Sequence, residues 1–322
     1  MTQPSSTESR RLVVLGTGGT IAGSSSKAGA NLGYTAGTVS VEDLLGGIAA
    51  PDGFILHAEQ VAQLDSKDMD TATWQTLQAR CEHWLAREDV AGLVITHGTD
   101  TVEETAFFLH SVLSSSRPVV LACAMRPATA RMPDGPQNLR DALAVAATPD
   151  AAGVTVVCAG EIHGAVNVSK THPYRLNAFD SGDSGPIGYV EEATVRQLRP
   201  WPHRPAVDPV ILPEADRWPR VEIVLSHAGT RGTLIDTLVR ERQGGASEAV
   251  AGIVLGATGN ASLHRDLEQA ALRARAAGIE VRVAARCNEG RLLPTPDAAF
   301  PILADLSPVK ARIALILELC RG

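Results

Sequence analysis

No block of lysines and arginines occurs anywhere in this chain, and acidic residues outnumber basic ones, 36 to 29, for a net charge of -7. That balance excludes a nucleic-acid surface of the usual electrostatic kind. No CxxC pair occurs either. The five cysteines, Cys81, Cys123, Cys158, Cys287 and Cys320, are odd in number and widely scattered. Neither a structural metal site nor a disulfide framework is expected from them. Every apolar run is far shorter than a membrane span. The first ten residues are polar and lack the apolar core of a secretory signal, so the chain reads as cytoplasmic. Aromatic residues reach only 4%, beside 44% hydrophobic and 20% charged residues over 322 positions. This is an ordinary globular composition, long enough for two domains or one large one.

What is present is an alternation of short apolar runs with helical patterns. Arg11–Leu15 is apolar after its first residue and ends in Gly16-Thr17-Gly18-Gly19-Thr20-Ile21-Ala22-Gly23. A run that is apolar throughout reads as a strand buried on both faces of a parallel sheet. Further strands are expected at 54–61, 92–96, 118–123 and 153–159, with helices at about 70–87, 102–113 and 137–147. Thr101 and Glu104 have capping-box spacing at the start of the second helix. Six prolines fall between Arg196 and Pro219, a segment that reads as an interdomain linker. After it, strands are expected at 221–226, 250–256 and 279–284, with helices at about 233–241 and 262–277. A last helix begins with Ser307 as N-cap and Pro308 at its first position. The fold class is α/β, with a larger N-terminal parallel-sheet domain over 1–195, a linker over 196–219 and a smaller C-terminal α/β domain over 220–322.

Three segments carry residues suited to chemistry. The glycine loop places Thr17 and Thr20 at the carboxyl end of the first strand, where α/β proteins bind ligands. It reads either as a phosphate loop or as a structural turn. The third glycine of GxGxxG is replaced by Ile21, and no Walker lysine follows. A second segment, Ile95-Thr96-His97-Gly98-Thr99-Asp100-Thr101, also joins an apolar strand to a helix. It reads either as a capped turn or as a second hydroxyl-rich loop facing the first. Lys170, in Val168-Ser169-Lys170-Thr171, is a solvated charge unless it points into the same cleft, where desolvation would let it lose its proton.

Taken in order, Thr17–Gly23, His97–Thr101 with Glu103-Glu104-Thr105-Ala106, Ala124-Met125-Arg126-Pro127 and Asp134-Gly135-Pro136-x-Asn138-Leu139 resemble the bacterial-type L-asparaginase family, which is related to the glutaminase-asparaginases. The resemblance runs from about residue 10 to the last helix. It implies an amidohydrolase with two α/β domains and no metal or cofactor. The substrate would be L-asparagine, cleaved to L-aspartate and ammonia through an acyl-enzyme. By this match Thr20 is the nucleophile and Tyr34 helps activate it from a lid over about 23–36. Thr99, Asp100 and Lys170 form a second catalytic set acting on water or on proton transfer. Ser66 binds the α-carboxylate and Asp100 the α-ammonium.

Lys67 falls where many secreted members carry a substrate-contacting glutamine. A cation there beside the α-ammonium is unfavourable, so Lys67 is expected to turn away or to pair with Asp65 or Asp68. Asn260 matches an asparagine that the family borrows from a neighbouring subunit, and Glu289 is the nearest candidate for a borrowed acid. These roles imply a homo-oligomer, a dimer or tetramer with sites shared between subunits.

The residue types suit amide hydrolysis. A threonine hydroxyl needs a base to take its proton, and the leaving amide nitrogen needs one delivered. Tyrosine and lysine ordinarily titrate near about 10 and about 10.4; the sequence leaves open which of them serves. Other readings are an amidohydrolase for glutamine or D-asparagine, or a nonenzymatic amino-acid binder on the same fold. A misacylated-tRNA substrate is disfavoured by the net acidity.

Overall fold

The apolar runs become the centre of two sheets. The computed structural model describes residues 10–27, 29–114, 116–202, 211–293 and 295–321, and the chain divides into two compact units between residues 208 and 209.

In the first unit β1 (Arg10–Gly18), β2 (Phe54–Leu64), β3 (Val90–Thr96), β4 (Pro118–Ala122) and β5 (Gly153–Cys158) pair in parallel in the order β2-β1-β3-β4-β5. Every residue of β3 and β4 is buried, as a strand covered on both faces requires. Helix α1 spans Val41–Leu45, α2 Thr71–Leu85, α3 Val102–Val112 and α4 Gly135–Ala147. Leu139, Ala142 and Leu143 of α4 pack with Leu12, Val14, Val94 and Val120 on one face of the sheet. Alternation sends Val13, Leu15, Leu93 and Ile95 to the other face, where they are also fully buried. Each such side chain contributes about 1.5–3 kcal/mol. Helices α2 and α3 are joined by the Trp74 indole N–H, which donates to Thr105 Oγ1 at 2.9 Å.

The parallel sheet is extended by elements that the apolar pattern does not reveal. Ala159 and Gly160 both have positive φ and reverse the chain. After them β6 (Glu161–Gly164) runs antiparallel to β5. An antiparallel pair of two-residue strands, β7 (Ser169–Lys170) and β8 (Phe179–Asp180), follows. Then β9 (Gly188–Glu191) and β10 (Thr194–Gln197) complete an eight-stranded mixed sheet. Of the proline-rich stretch 196–219, residues 203–210, with Pro205 and Pro209, lie outside the described residues. Arg196 and Gln197 belong to the edge strand β10, and Ala215–Arg217 form one 3-10 turn.

The second unit holds three parallel strands, β11 (Val221–Leu225), β12 (Gly252–Ala257) and β13 (Glu280–Ala285), with α5 (Thr233–Gln243), α6 (Arg265–Ala276) and α7 (Pro308–Cys320). Ile253 and Leu255 face α5 and α6 through Ile235, Leu238, Leu267 and Ala270. Val254 faces α7 through Ala311, Leu315 and Ile316.

Two expected caps do not form. Thr101 precedes α3 without capping it, because its hydroxyl donates instead to the Ser66 carbonyl at 2.7 Å. Ser307 Oγ is buried and makes no hydrogen bond among the described residues, although Pro308 opens α7 as expected. Among the described residues no helix is long and apolar enough to cross a membrane.

Candidate active site

A sheet ordered β2-β1-β3-β4-β5 has its topological switch between β1 and β3, so a crevice opens outside the carboxyl ends of those two strands. The two hydroxyl-rich loops lie there. Thr17, at the end of β1, donates its hydroxyl to the Thr96 carbonyl at 2.8 Å, tying the loops together. Gly19 has φ 79°, and a Cβ on it would overlap the Gly98 backbone. A Cβ on Gly98 would in turn lie 2.7 Å from Ser66 Cβ. Glycine at both positions lets three loops touch through bare backbone. The next residue after each glycine, Thr20 and Thr99, is thereby placed at the meeting point.

Thr20 begins a 3-10 turn, Thr20–Ala22, and is 7% exposed. Its Oγ1 lies 2.7 Å from Tyr34 Oη, close enough for either to donate. Tyr34 comes from a loop clasped at its base. Ser24 and Thr35 exchange both backbone hydrogen bonds, at 2.9 and 2.8 Å, and Gly37 N–H donates to the Gly19 carbonyl at 3.0 Å. Gly19 N–H itself donates to the Leu64 carbonyl at 2.8 Å, which removes it from the possible oxyanion donors.

Thr99 is 5% exposed. The Lys170 ammonium donates to Thr99 Oγ1 at 2.9 Å and to Asp100 Oδ1 at 2.6 Å. Lys170 reaches them from the short strand β7, some seventy positions further along the chain. Its side chain is 18% exposed and that of Asp100 is 53% exposed. The Asp100 backbone N–H donates to Ser66 Oγ at 3.2 Å, so the buried Ser66 hydroxyl borders the same group. Beside it, the Lys67 ammonium sits between two carboxylates, 2.9 Å from Asp65 Oδ2 and 2.9 Å from Asp68 Oδ2. Those bonds hold its pKa above the ordinary lysine value.

His97, inside the second loop, is fully buried. Its Nδ1 lies 2.8 Å from the Gly98 carbonyl, and Nε2 has no partner among the described residues. Burial pushes its pKa down to about 4, so the ring is neutral and Nδ1 carries the donated proton.

Thr20, Tyr34, Ser66, Lys67, Thr99, Asp100 and Lys170 all belong to the first unit, whereas Asn260 and Glu289 belong to the second. Asn260 is locked within its own unit: Nδ2 donates to the Leu293 carbonyl at 3.0 Å and Oδ1 accepts from Leu293 N–H at 2.7 Å. Glu289 is exposed. Two residues had no assigned role in the sequence, Asp134 and Asn138. Asp134 accepts from the backbone N–H groups of Met125 and Arg126, both at 2.9 Å. Their only signal was the Asp134–Leu139 motif itself.

The protein is an α/β chain of two units with hydroxyl-rich loops at the switch point of the larger sheet. The chain belongs to the asparaginase family. Residues 11–202 match the asparaginase N-terminal domain and residues 220–322 the glutaminase/asparaginase C-terminal domain. Among individual proteins, L-asparaginase 2 of Bacillus subtilis is 34% identical over 96% of this chain and 82% of its own length. A glutaminase-asparaginase of Pseudomonas fluorescens is 33% identical over 98% of this chain and 88% of its own length. The crystal structure of a probable cytoplasmic L-asparaginase from Campylobacter jejuni superposes with a TM-score of 0.84 at 33% identity, covering 97% of this chain and 96% of that one.

Proposed function

We propose that this protein is an L-asparaginase that hydrolyses L-asparagine to L-aspartate and ammonia with Thr20 as nucleophile. The observation that carries this reading is the pairing of two buried threonine hydroxyls with two different proton-transfer partners on touching loops, Thr20 with Tyr34 and Thr99 with Lys170. Thr20 Oγ1 attacks the side-chain amide carbon while its proton passes to Tyr34 Oη at 2.7 Å and the phenol's own proton passes on to the amide nitrogen. The tetrahedral intermediate then expels that protonated nitrogen as ammonia. An ester between Thr20 and the aspartyl group remains. Water, oriented by the Thr99–Lys170 pair, attacks that ester, and the Thr20 oxygen regains its proton as L-aspartate forms. Ser66 receives the substrate α-carboxylate, and Asp100, already facing one ammonium, receives the α-ammonium.

Lys67 stands at the rim of this site. Its two carboxylate partners keep its charge away from the α-ammonium that Asp100 would hold. The first unit is the catalytic domain in this reading. On the same reading the second supplies Asn260 and Glu289 to the site of a neighbouring copy in a homo-oligomer, the role that the family resemblance implies for them. All five cysteines are free, which favours a reducing, cytoplasmic compartment.

The test is ammonia release from L-asparagine by purified wild-type and Thr20→Ala protein with matched circular dichroism. Wild-type turnover with a silent Thr20→Ala variant is expected. Near-normal turnover by Thr20→Ala contradicts the nucleophile assignment. The glutaminase-asparaginase among the relatives gives a second substrate, L-glutamine, a reason to be run in the same assay. A glutamine rate equal to or above the asparagine rate would replace the substrate while keeping the mechanism.

A further inference from the structure

The family motif Asp134–Leu139 takes no part in the reaction proposed above, yet its polar side chains are wired into the site's framework. Asn138 is 2% exposed and sits at the start of α4. Its Nδ2 donates to the Cys123 carbonyl at 2.8 Å and approaches Asp134 Oδ2 at 3.3 Å. Its Oδ1 accepts from the Ala159 N–H at 3.0 Å. One amide thus joins the chain leaving β4 to the chain leaving β5. Asp134 completes the staple: its two carboxylate oxygens accept from Met125 and Arg126 N–H, so the loop that follows β4 is held at both ends.

The outer side of the same loop grips the segment that carries the nucleophile. Ala124 is buried against Ile21 and Ala22, the two residues after Thr20. Ala128 N–H donates to the Gly23 carbonyl at 2.9 Å. Thr129 Oγ1 accepts from Ser25 N–H at 2.9 Å. These contacts fall on the 3-10 turn of Thr20 and on the first residues of the loop that returns with Tyr34.

We propose that Asp134 and Asn138 are positioning residues for the Thr20–Tyr34 pair, acting through the loop from Cys123 to Thr129. The proposal rests on the assignment of Thr20 and Tyr34 made above. The physical reason is that the pair is made by a loop and not by a strand. Tyr34 lies fourteen positions after Thr20 and outside any regular strand or helix, and a proton transfer at 2.7 Å tolerates little drift. A displacement of about 1 Å at a reacting group can cost about 100-fold in rate. None of the loop contacts described above falls on Thr99 or Lys170.

The experiment compares wild type with Asp134→Asn and Thr129→Val. Asp134→Asn keeps the shape of the side chain but sets an NH2 group against a backbone N–H. Thr129→Val removes only the outer contact with Ser25. For each variant kcat and KM for L-asparagine, the dissociation constant for L-aspartate and backbone hydrogen exchange are measured. The expected result for Asp134→Asn is a kcat lowered about 10- to 100-fold with L-aspartate affinity within about threefold of wild type. Thr129→Val is expected to fall in kcat about 3- to 10-fold. The amides of Thr35 and Thr38 should exchange faster in both, with those of α3 unchanged.

A merely structural role would weaken ligand affinity and protection throughout the unit together. Wild-type kcat in folded Asp134→Asn, or loss of aspartate affinity in step with kcat, overturns the proposal. If Asp134→Asn does not fold, Thr129→Val decides by the same criteria. Thr20→Ala is assayed in parallel. An active Thr20→Ala overturns the nucleophile assignment, whereas an inactive one beside a fully active Asp134→Asn overturns the positioning role alone.

Discussion

The carboxyl edges of the parallel strands in the two units are alike in composition and unlike in wiring. Both carry loops rich in serine and threonine. In the second unit those hydroxyls bond to backbone: Thr230 Oγ1 accepts from His227 N–H at 2.9 Å and donates to the His227 carbonyl at 2.7 Å. Thr258 Oγ1 donates to the Ser262 carbonyl at 2.9 Å, and Ser226 Oγ accepts from His264 N–H at 3.0 Å. Each satisfies a local backbone group and holds a turn. In the first unit Thr20 and Thr99 bond to the side chains of Tyr34 and Lys170. A hydroxyl bonded to a backbone group has a fixed partner that cannot change protonation. A hydroxyl bonded to a phenol or an ammonium can exchange a proton. Under the proposed mechanism the partner decides whether a hydroxyl locks a loop, as Thr17 and Thr101 also do in the first unit, or takes part in chemistry.

This contrast can be broken most severely at Lys170. Lys170→Met keeps the length of the side chain and removes its proton, and ammonia release should fall about 10²–10⁴-fold, with secondary structure unchanged by circular dichroism. A fall of less than about tenfold would mean that the Thr99 hydroxyl needs no partner of this kind. Tyr34→Phe removes the other partner while leaving the ring. A loss at the lower end of the same range, about 10²-fold, is expected in kcat under saturating substrate.

A smaller effect tests the neutral His97, which lies in the first edge but bonds to backbone as the second edge does. Its folded pKa of about 4 stands against an ordinary 6.5. Between those values the unfolded chain binds a proton that the folded protein does not. Stability therefore falls as the pH drops through this window, by up to about 3 kcal/mol at about 1.4 kcal/mol per pH unit. Urea unfolding of His97→Asn at pH 7, 5.5 and 4 should give a shallower dependence than wild type. An unchanged slope would show that the acid sensitivity comes from other groups.

The parallel core of the first unit could be read directly, because β1, β3 and β4 are short, mainly apolar runs bounded by turn residues. Chain order also reported the loops of Thr20 and Thr99, since parallel strands share one carboxyl edge. The segment from Glu161 to Gln197 could not be read. Its strands are two to four residues long, too short to show a period, and they form because existing edges recruit them. Lys170 lies in that segment, so its approach to Thr99 followed from family resemblance and not from pattern. Thr101 shows the opposite failure. The capping-box spacing is present, but the Ser66 carbonyl, 35 positions away in sequence, takes the hydroxyl. The role of Asp134 was hidden for a similar reason: a carboxylate that binds two backbone N–H groups has no periodic signature.

The central claim is that the partner of a hydroxyl, not its place at a sheet edge, decides its role. One substitution made at both edges, Thr20→Val and Thr230→Val, tests it most directly, with kcat for L-asparagine and the melting temperature measured on each. Thr20→Val should lose at least about 1000-fold in kcat with little change in melting temperature. Thr230→Val should keep kcat within about twofold and lose about 1–3 kcal/mol of stability, because His227 N–H is left unpaired. Substantial turnover by Thr20→Val, or a collapse of kcat in a stable Thr230→Val protein, would contradict the account.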